Sequence, residues 1–181
     1  STKKVWGTVY SGVLLQSRVF LFGPASVSIN RESWLSISHL DNNILGDVMA
    51  YKGIFCLEGI WDNDLRKQST VEPILLLLKQ RLGIPYIHRD CATVNELEFY
   101  LSKFIQATYK KYPILYLAFH GKEGSIMFNG RESYSLDEMS DSLKGKCKKT
   151  VIIIGSCSTM DIRKQHLKSF LSNTGALAVC G

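Results

Sequence analysis

His120 and Cys157 are the two residues whose types and settings could do chemistry together. The first sits at the end of the apolar run ILYLAFHG (114–121), the second in the run VIIIGSCST (151–159). Each run reads as a buried strand that stops on a small residue and a reactive side chain. A cysteine attacks as thiolate, and a neighbouring imidazole both lowers its effective pKa and later protonates a leaving amine. The backbone N–H groups of Gly121 and Cys157 would serve the oxyanion of a tetrahedral intermediate, since a residue without a side chain lets a carbonyl approach. Spacing alone leaves a competing reading open, a buried cysteine and a satisfied histidine at two unrelated strand ends, because single residues of both types are common.

The two side chains meet only if their strands are parallel neighbours, since chemistry in such sheets gathers at the carboxyl ends of the strands. The chain from residue 53 onward has the right alternation. A short apolar strand over 54–57 ends in Glu58-Gly59, and a helix over 70–82 follows, with Ser69 or Thr70 as cap, Glu72 and Pro73 in its first turn, residues 74–82 as its apolar body and Gly83 as its stop. Residues 85–88 read as a second strand. Thr93 and Glu96 form a capping box for a helix in which Leu97, Tyr100, Leu101, Phe104 and Ile105 recur at helical spacing. Pro113 ends that unit, and the strand 114–119 follows. Asn129-Gly130 marks a hairpin between short strands. Ser135 and Glu138 form a second capping box for a helix over 136–143, ahead of the strand that carries Cys157. A helix containing His166 and Leu167 runs to about residue 171, residues 173–175 turn the chain, and 176–180 form a last apolar strand. Strand, helix, strand, helix, strand implies right-handed crossovers, a mainly parallel sheet and the α/β class.

Length and composition bound this reading. The 181 residues, 45% hydrophobic, suit one globular domain with a sizeable core plus an appendage. Residues 51–181 form the domain. Residues 1–50 form a β-rich segment of unknown role, with runs over 5–10, 13–22, 26–30 and 34–39 that suggest an antiparallel meander. His39 there reads as a strand-end or loop residue. No run approaches eighteen apolar residues and no signal peptide is evident, so a cytoplasmic protein without membrane contact is expected. Five widely spaced cysteines imply free thiols, with Cys56, Cys91, Cys147 and Cys180 as small core hydrophobes. No CxxC pair or clustered His/Cys spacing supports a metal, and no cofactor is implied. The net charge of +6 comes from 22 basic and 16 acidic residues and is densest at Lys144, Lys146, Lys148 and Lys149. A solvated turn accounts for that cluster more simply than direct nucleic-acid contact or an acidic partner. At the other strand ends, His88 is expected to bond a backbone carbonyl, and Glu58 and Asp90 either orient His120 or cap loops.

The order ILYLAFHG then VIIIGSC resembles the caspase-like, or clan CD, cysteine peptidases, in which His-Gly ends one strand and the nucleophile ends the next. The CHAT subgroup is similar in placing a short hairpin and a helix between the two motifs. The resemblance covers about residues 52–181. It implies a three-layer sandwich with helices on both sides of the sheet, His120 as general base and acid, Cys157 as nucleophile and Gly121 as an oxyanion donor. It also implies a protein or peptide substrate, with Trp61, Arg66, Glu58 and Ser156 about the substrate pocket and Arg66 facing an acidic residue before the cleaved bond. Relatives of this kind serve bacterial defence or cell-death systems with a regulatory partner. Three departures stand beside it. Gly155-Ser156-Cys157 replaces the caspase Gln-Ala-Cys. The separation is 157 − 120 = 37 residues, against about 50 in caspases. A sixth strand has to come from residues 1–50, from a second chain, or from beyond Gly181. The alternatives are an inactive scaffold of the same fold, and an α/β-hydrolase with a cysteine nucleophile. GSCST approximates that fold's nucleophile elbow, but Thr159 replaces the second glycine and only His166 follows.

Overall fold

The structure, a computed structural model, describes residues 19–21, 53–64, 66–67, 69–128 and 132–181. Its central sheet contains β1 (Val19–Leu21), β2 (Ile54–Gly59), β3 (Tyr86–Cys91), β4 (Ile114–Ala118), β8 (Val151–Gly155) and β9 (Ala178–Cys180). Their order across the sheet is β1-β9-β8-β4-β2-β3, with every pair parallel except β1 against β9. A second, antiparallel sheet of β5 (His120–Lys122), β6 (Ser125–Phe128) and β7 (Glu132–Ser135) leaves the end of β4. The helices are α1 (Glu72–Leu82), α2 (Val94–Phe104), α3 (Leu136–Ser142) and α4 (Lys164–Thr174).

Side-chain alternation along β2 explains how the layers form. All six of its positions are buried, as expected of a strand covered on both faces. Phe55 and Leu57 enter the larger core with Leu97, Leu101 and Phe104 of α2, Met139 of α3 and Leu167 and Phe170 of α4. Ile54 and Cys56 point the other way, against Leu75 of α1. Burying each of these large side chains stabilises the fold by about 1.5–3 kcal/mol. The capping boxes expected at Thr93 with Glu96 and at Ser135 with Glu138 are both present, and Gly83 and Gly175 end α1 and α4 in the left-handed conformation.

Several elements differ from the expectation. The cap of α1 is Val71, without a side-chain bond, although the Thr70 hydroxyl still accepts from the Glu72 N–H at 3.1 Å. Residues 74–82 are not a buried body: Leu75 alone is buried, and Ile74, Leu76, Leu77 and Leu82 are exposed. Consecutive leucines encircle a helix, and only one narrow stripe of α1 meets the sheet. The second strand continues to Cys91 rather than ending at His88, since Arg89 and Asp90 stay in register with Leu57 and Glu58. Helix α4 reaches Thr174, so the last strand starts at Ala178.

From residues 1–50 only β1 is described, and it lies antiparallel along β9, pairing Val19 with Cys180 and Leu21 with Ala178. The apolar edge of β9 is therefore covered from within the chain. The other expected runs of that segment, and His39, lie outside the described residues. Among the described residues no helix is long and apolar enough to cross a membrane. All five cysteines are free; Cys56, Cys91 and Cys147 are buried and Cys180 is half-buried. Burial pushes the Cys91 and Cys147 thiols up to about 12 and raises those of Cys56 and Cys180 as well.

Candidate active site

Strand register sets the site. Ala118 of β4 pairs with Gly155 of β8, an offset of 155 − 118 = 37 residues. His120 and Cys157 differ by the same 37, so each stands two residues beyond the last paired position of neighbouring parallel strands. Both therefore emerge at the carboxyl end of the sheet, side by side in strand order, and both are exposed.

The turn bearing Cys157 is fastened from below. Ser156 Oγ donates to Thr159 Oγ1 at 2.6 Å, and the Thr159 hydroxyl donates to the Ser125 carbonyl at 2.9 Å. The Gly124 N–H donates to the Thr159 carbonyl at 3.1 Å. Thr159 is fully buried, so this threonine rivets the turn to the hairpin of β5 and β6. Ser158, just past the cysteine, takes a positive φ of 58°, a conformation that costs a non-glycine residue energy and is held by the surrounding bonds.

Gly121 lies against the same turn. A Cβ at this position would overlap the Thr159 hydroxyl and stand 2.7 Å from the Cys157 carbonyl and 2.9 Å from Ser156 Cβ. Only glycine fits. Gly121→Ala is expected to shift the turn, costing about 1–3 kcal/mol of stability and lowering any thiol-dependent turnover by about 100-fold. Thermal melting and turnover measured on the same preparation check both values.

His120 is held from the loop after β2. Its Nε2 is 2.9 Å from the Trp61 carbonyl, an oxygen that can only accept, so Nε2 carries the hydrogen and Nδ1 is the basic nitrogen of the neutral ring. The Trp61 and His120 rings also meet edge to face, with centroids 5.1 Å apart. Trp61 is anchored in turn, since its Nε1–H donates to Glu58 Oε1.

Glu58 is the hub of this corner. Its carboxylate, 1% exposed, also accepts from the Val71 N–H at 2.8 Å and the Thr70 hydroxyl at 2.7 Å, and bonds His88 Nε2 at 2.6 Å. A buried carboxylate requires such partners. His88 thus bonds a carboxylate and not the expected backbone carbonyl, because β3 pairs with β2 and sets His88 beside the buried acid. Glu58 reaches His120 only through Trp61, while also closing the loop onto the start of α1. Asp90 is exposed, 3.8 Å from His88. Glu58, His88 and Asp90 are close enough together to offer ligands to a cation, but the two Glu58 oxygens already accept four hydrogen bonds, so the set fits a structural corner better than a metal centre.

Of the residues placed about the pocket, Trp61 and Ser156 adjoin the pair through these contacts. Arg66 is 90% exposed at its side chain and forks onto Asp64, at 2.9 Å and 3.0 Å. This pairing raises the guanidinium pKa and lowers that of the carboxyl. His166 is exposed on α4.

The family model described as a family of unknown function, DUF6642, matches residues 51–181. The chain belongs to this family. No curated protein matches it. The DUF6642 region holds β2 to β9 and both His120 and Cys157, so the whole corner from Glu58 to Thr159 lies inside it. Sequence reasoning treated Glu58 as a loop cap, an orienting group for His120 or a residue about the substrate pocket, and not as a buried hub. The signal for more was available, an acid closing the apolar run IFCLEG, where a buried strand leaves it no route to water.

Proposed function

We propose that this chain is a cysteine peptidase with a caspase-like sheet, in which Cys157 is the nucleophile and His120 the general base and acid. The observation that carries the reading is the shared 37-residue offset, which brings thiol and imidazole out of adjacent parallel strands at one sheet end. The sixth strand of the sheet, β1, comes from residues 1–50, one of the sources that the resemblance leaves open.

In this reading His120 Nδ1 takes the Cys157 proton while the Trp61 carbonyl holds Nε2–H. The thiolate adds to the substrate carbonyl, and the N–H groups of Gly121 and Cys157 receive the oxyanion. The imidazolium then protonates the leaving amine as the C–N bond breaks. Water, deprotonated by the same imidazole, hydrolyses the thioester and returns the free thiol. Substrates are polypeptides, and a regulated role in a bacterial defence or cell-death system follows from the resemblance alone.

The test is hydrolysis of an unfolded protein substrate, run in parallel with brief iodoacetamide labelling at neutral pH and mass-spectrometric mapping. Fragment release is expected, with Cys157 labelled first. Cys91 and Cys147 should stay unlabelled, since burial keeps both thiols protonated. His120→Ala should slow the labelling of Cys157. Unchanged labelling would sink the coupling of the pair, and labelling without hydrolysis would favour a scaffold of the same fold.

A further inference from the structure

At the amino end of the same sheet, opposite the candidate active site, an open hollow of about 600 Å³ is framed by residues 104–113 and 146–150. Phe104, Pro113 and Thr150 are its buried lining residues, two apolar and one a hydroxyl. Its walls carry Lys110 and Lys111 from the segment before β4, and Lys146 and Lys148 from the segment before β8, with Lys149 alongside. Two stretches distant in sequence therefore bring their lysines to one cavity. A solvated turn, which accounts for a lysine cluster in one segment, does not explain that convergence.

None of the fourteen lining residues is acidic. Among the described residues, Lys110, Lys111, Lys146 and Lys148 form no ion pair. Like charges gathered about a concave surface raise the local potential and concentrate anions there. Tyr109 and Tyr112, both half-buried and packed against the core, also line it. The volume lies within the ~300–1,000 Å³ typical of small-ligand sites. It suits a compact ligand rather than a duplex, which needs an extended basic surface.

We infer that this hollow binds a small phosphate-rich ligand, a nucleoside polyphosphate or an inorganic polyphosphate, through Lys110, Lys111, Lys146 and Lys148. Lysine supplies compact point charges suited to phosphate oxygens. The site is separate from the thiol chemistry and stands whether or not peptide hydrolysis is found.

The experiment is calorimetric titration of the full chain with ATP and with sodium tripolyphosphate, at low and at moderate salt, beside thermal melting. Binding that weakens as salt rises is expected. The triple variant Lys110→Gln/Lys146→Gln/Lys148→Gln should bind at least ~10-fold more weakly, because charged contacts to phosphate are the strong ones. All three side chains are exposed, and circular dichroism checks that the variant folds. Lys144→Gln, in the same turn but outside the hollow, should leave affinity unchanged. Tighter binding of ATP than of tripolyphosphate identifies the nucleotide as the ligand class, and equal binding identifies the polyphosphate. The inference is overturned if neither compound binds at millimolar concentration, if the triple variant binds as the parent does, or if Lys144→Gln weakens binding as much as the triple variant.

Discussion

Cys157→Ala is expected to lower kcat/KM for peptide hydrolysis at least ~1,000-fold, because no other group can form the covalent intermediate. Its melting temperature should match the parent's, since the thiol is exposed and exposed substitutions usually shift stability by no more than ~0.5 kcal/mol. His120→Ala should lose a comparable factor, of the order of 100 to 10,000. The double variant should be little worse than either single one, as groups acting as a unit are not additive. Steady-state kinetics on the four proteins, with a melting curve for each, decides the matter. Activity surviving in Cys157→Ala would remove the peptidase assignment, and a product of the single losses in the double variant would show that the two residues act apart.

Glu58→Ala is expected to be the most destabilising single change at this corner, by about 3–5 kcal/mol, since each part-buried donor it leaves unsatisfied costs about 1–3 kcal/mol. The substitution strands the Trp61 indole, the Val71 amide and His88 together, while the exposed Thr70 hydroxyl can turn to water. Groups left unsatisfied in a buried site cost more than the bonds themselves were worth. Denaturant unfolding should show a lower midpoint with an unchanged slope. Glu58→Gln separates charge from shape. A Gln amide retains one acceptor oxygen but turns an N–H₂ group toward donors on its other side, so most of the loss should persist. A variant as stable as the parent would mean that these bonds do not hold the loop. Because Trp61 holds His120, Glu58→Gln should also lower turnover, as a positioning residue does; at a temperature where it stays folded, slower labelling of Cys157 would distinguish this from simple unfolding.

Features encoded within a few residues were legible in the sequence, while those assembled across the chain were not. Thr93 with Glu96 and Ser135 with Glu138 are three residues apart, and both boxes formed as read. The runs 114–119 and 151–155 were recognisable because central strands covered by other layers are almost wholly apolar, even though alternate positions of β4 and β8 are only half-buried. The Glu58 hub draws donors from positions 3, 12, 13 and 30 residues away, and no local pattern encodes such a set. His88 was misjudged for the same reason, its partner lying on the next strand. β5 was missed because His120-Gly121-Lys122 is short, mostly exposed and polar, and becomes a strand only by pairing with β6. Helix α1 failed differently: its leucines gave the right element and the wrong environment.

The antiparallel seam between β1 and β9 also bears on the order in which the molecule assembles. Val19 and Cys180 are 180 − 19 = 161 positions apart, whereas β4 and β8 pair across 37. The entropy lost in closing a loop rises with its length, so contacts remote in sequence form late. By this measure the parallel pairs β8–β9, β2–β3 and β4–β8, whose partners lie 178 − 151 = 27, 86 − 54 = 32 and 151 − 114 = 37 positions apart, close before β2 and β4, at 114 − 54 = 60, and β1 is the last to dock. A segment of three residues held along one edge is also the cheapest part of the sheet to release. Fraying at this seam would expose the backbone groups of β9 while β2, β4 and β8 stayed closed.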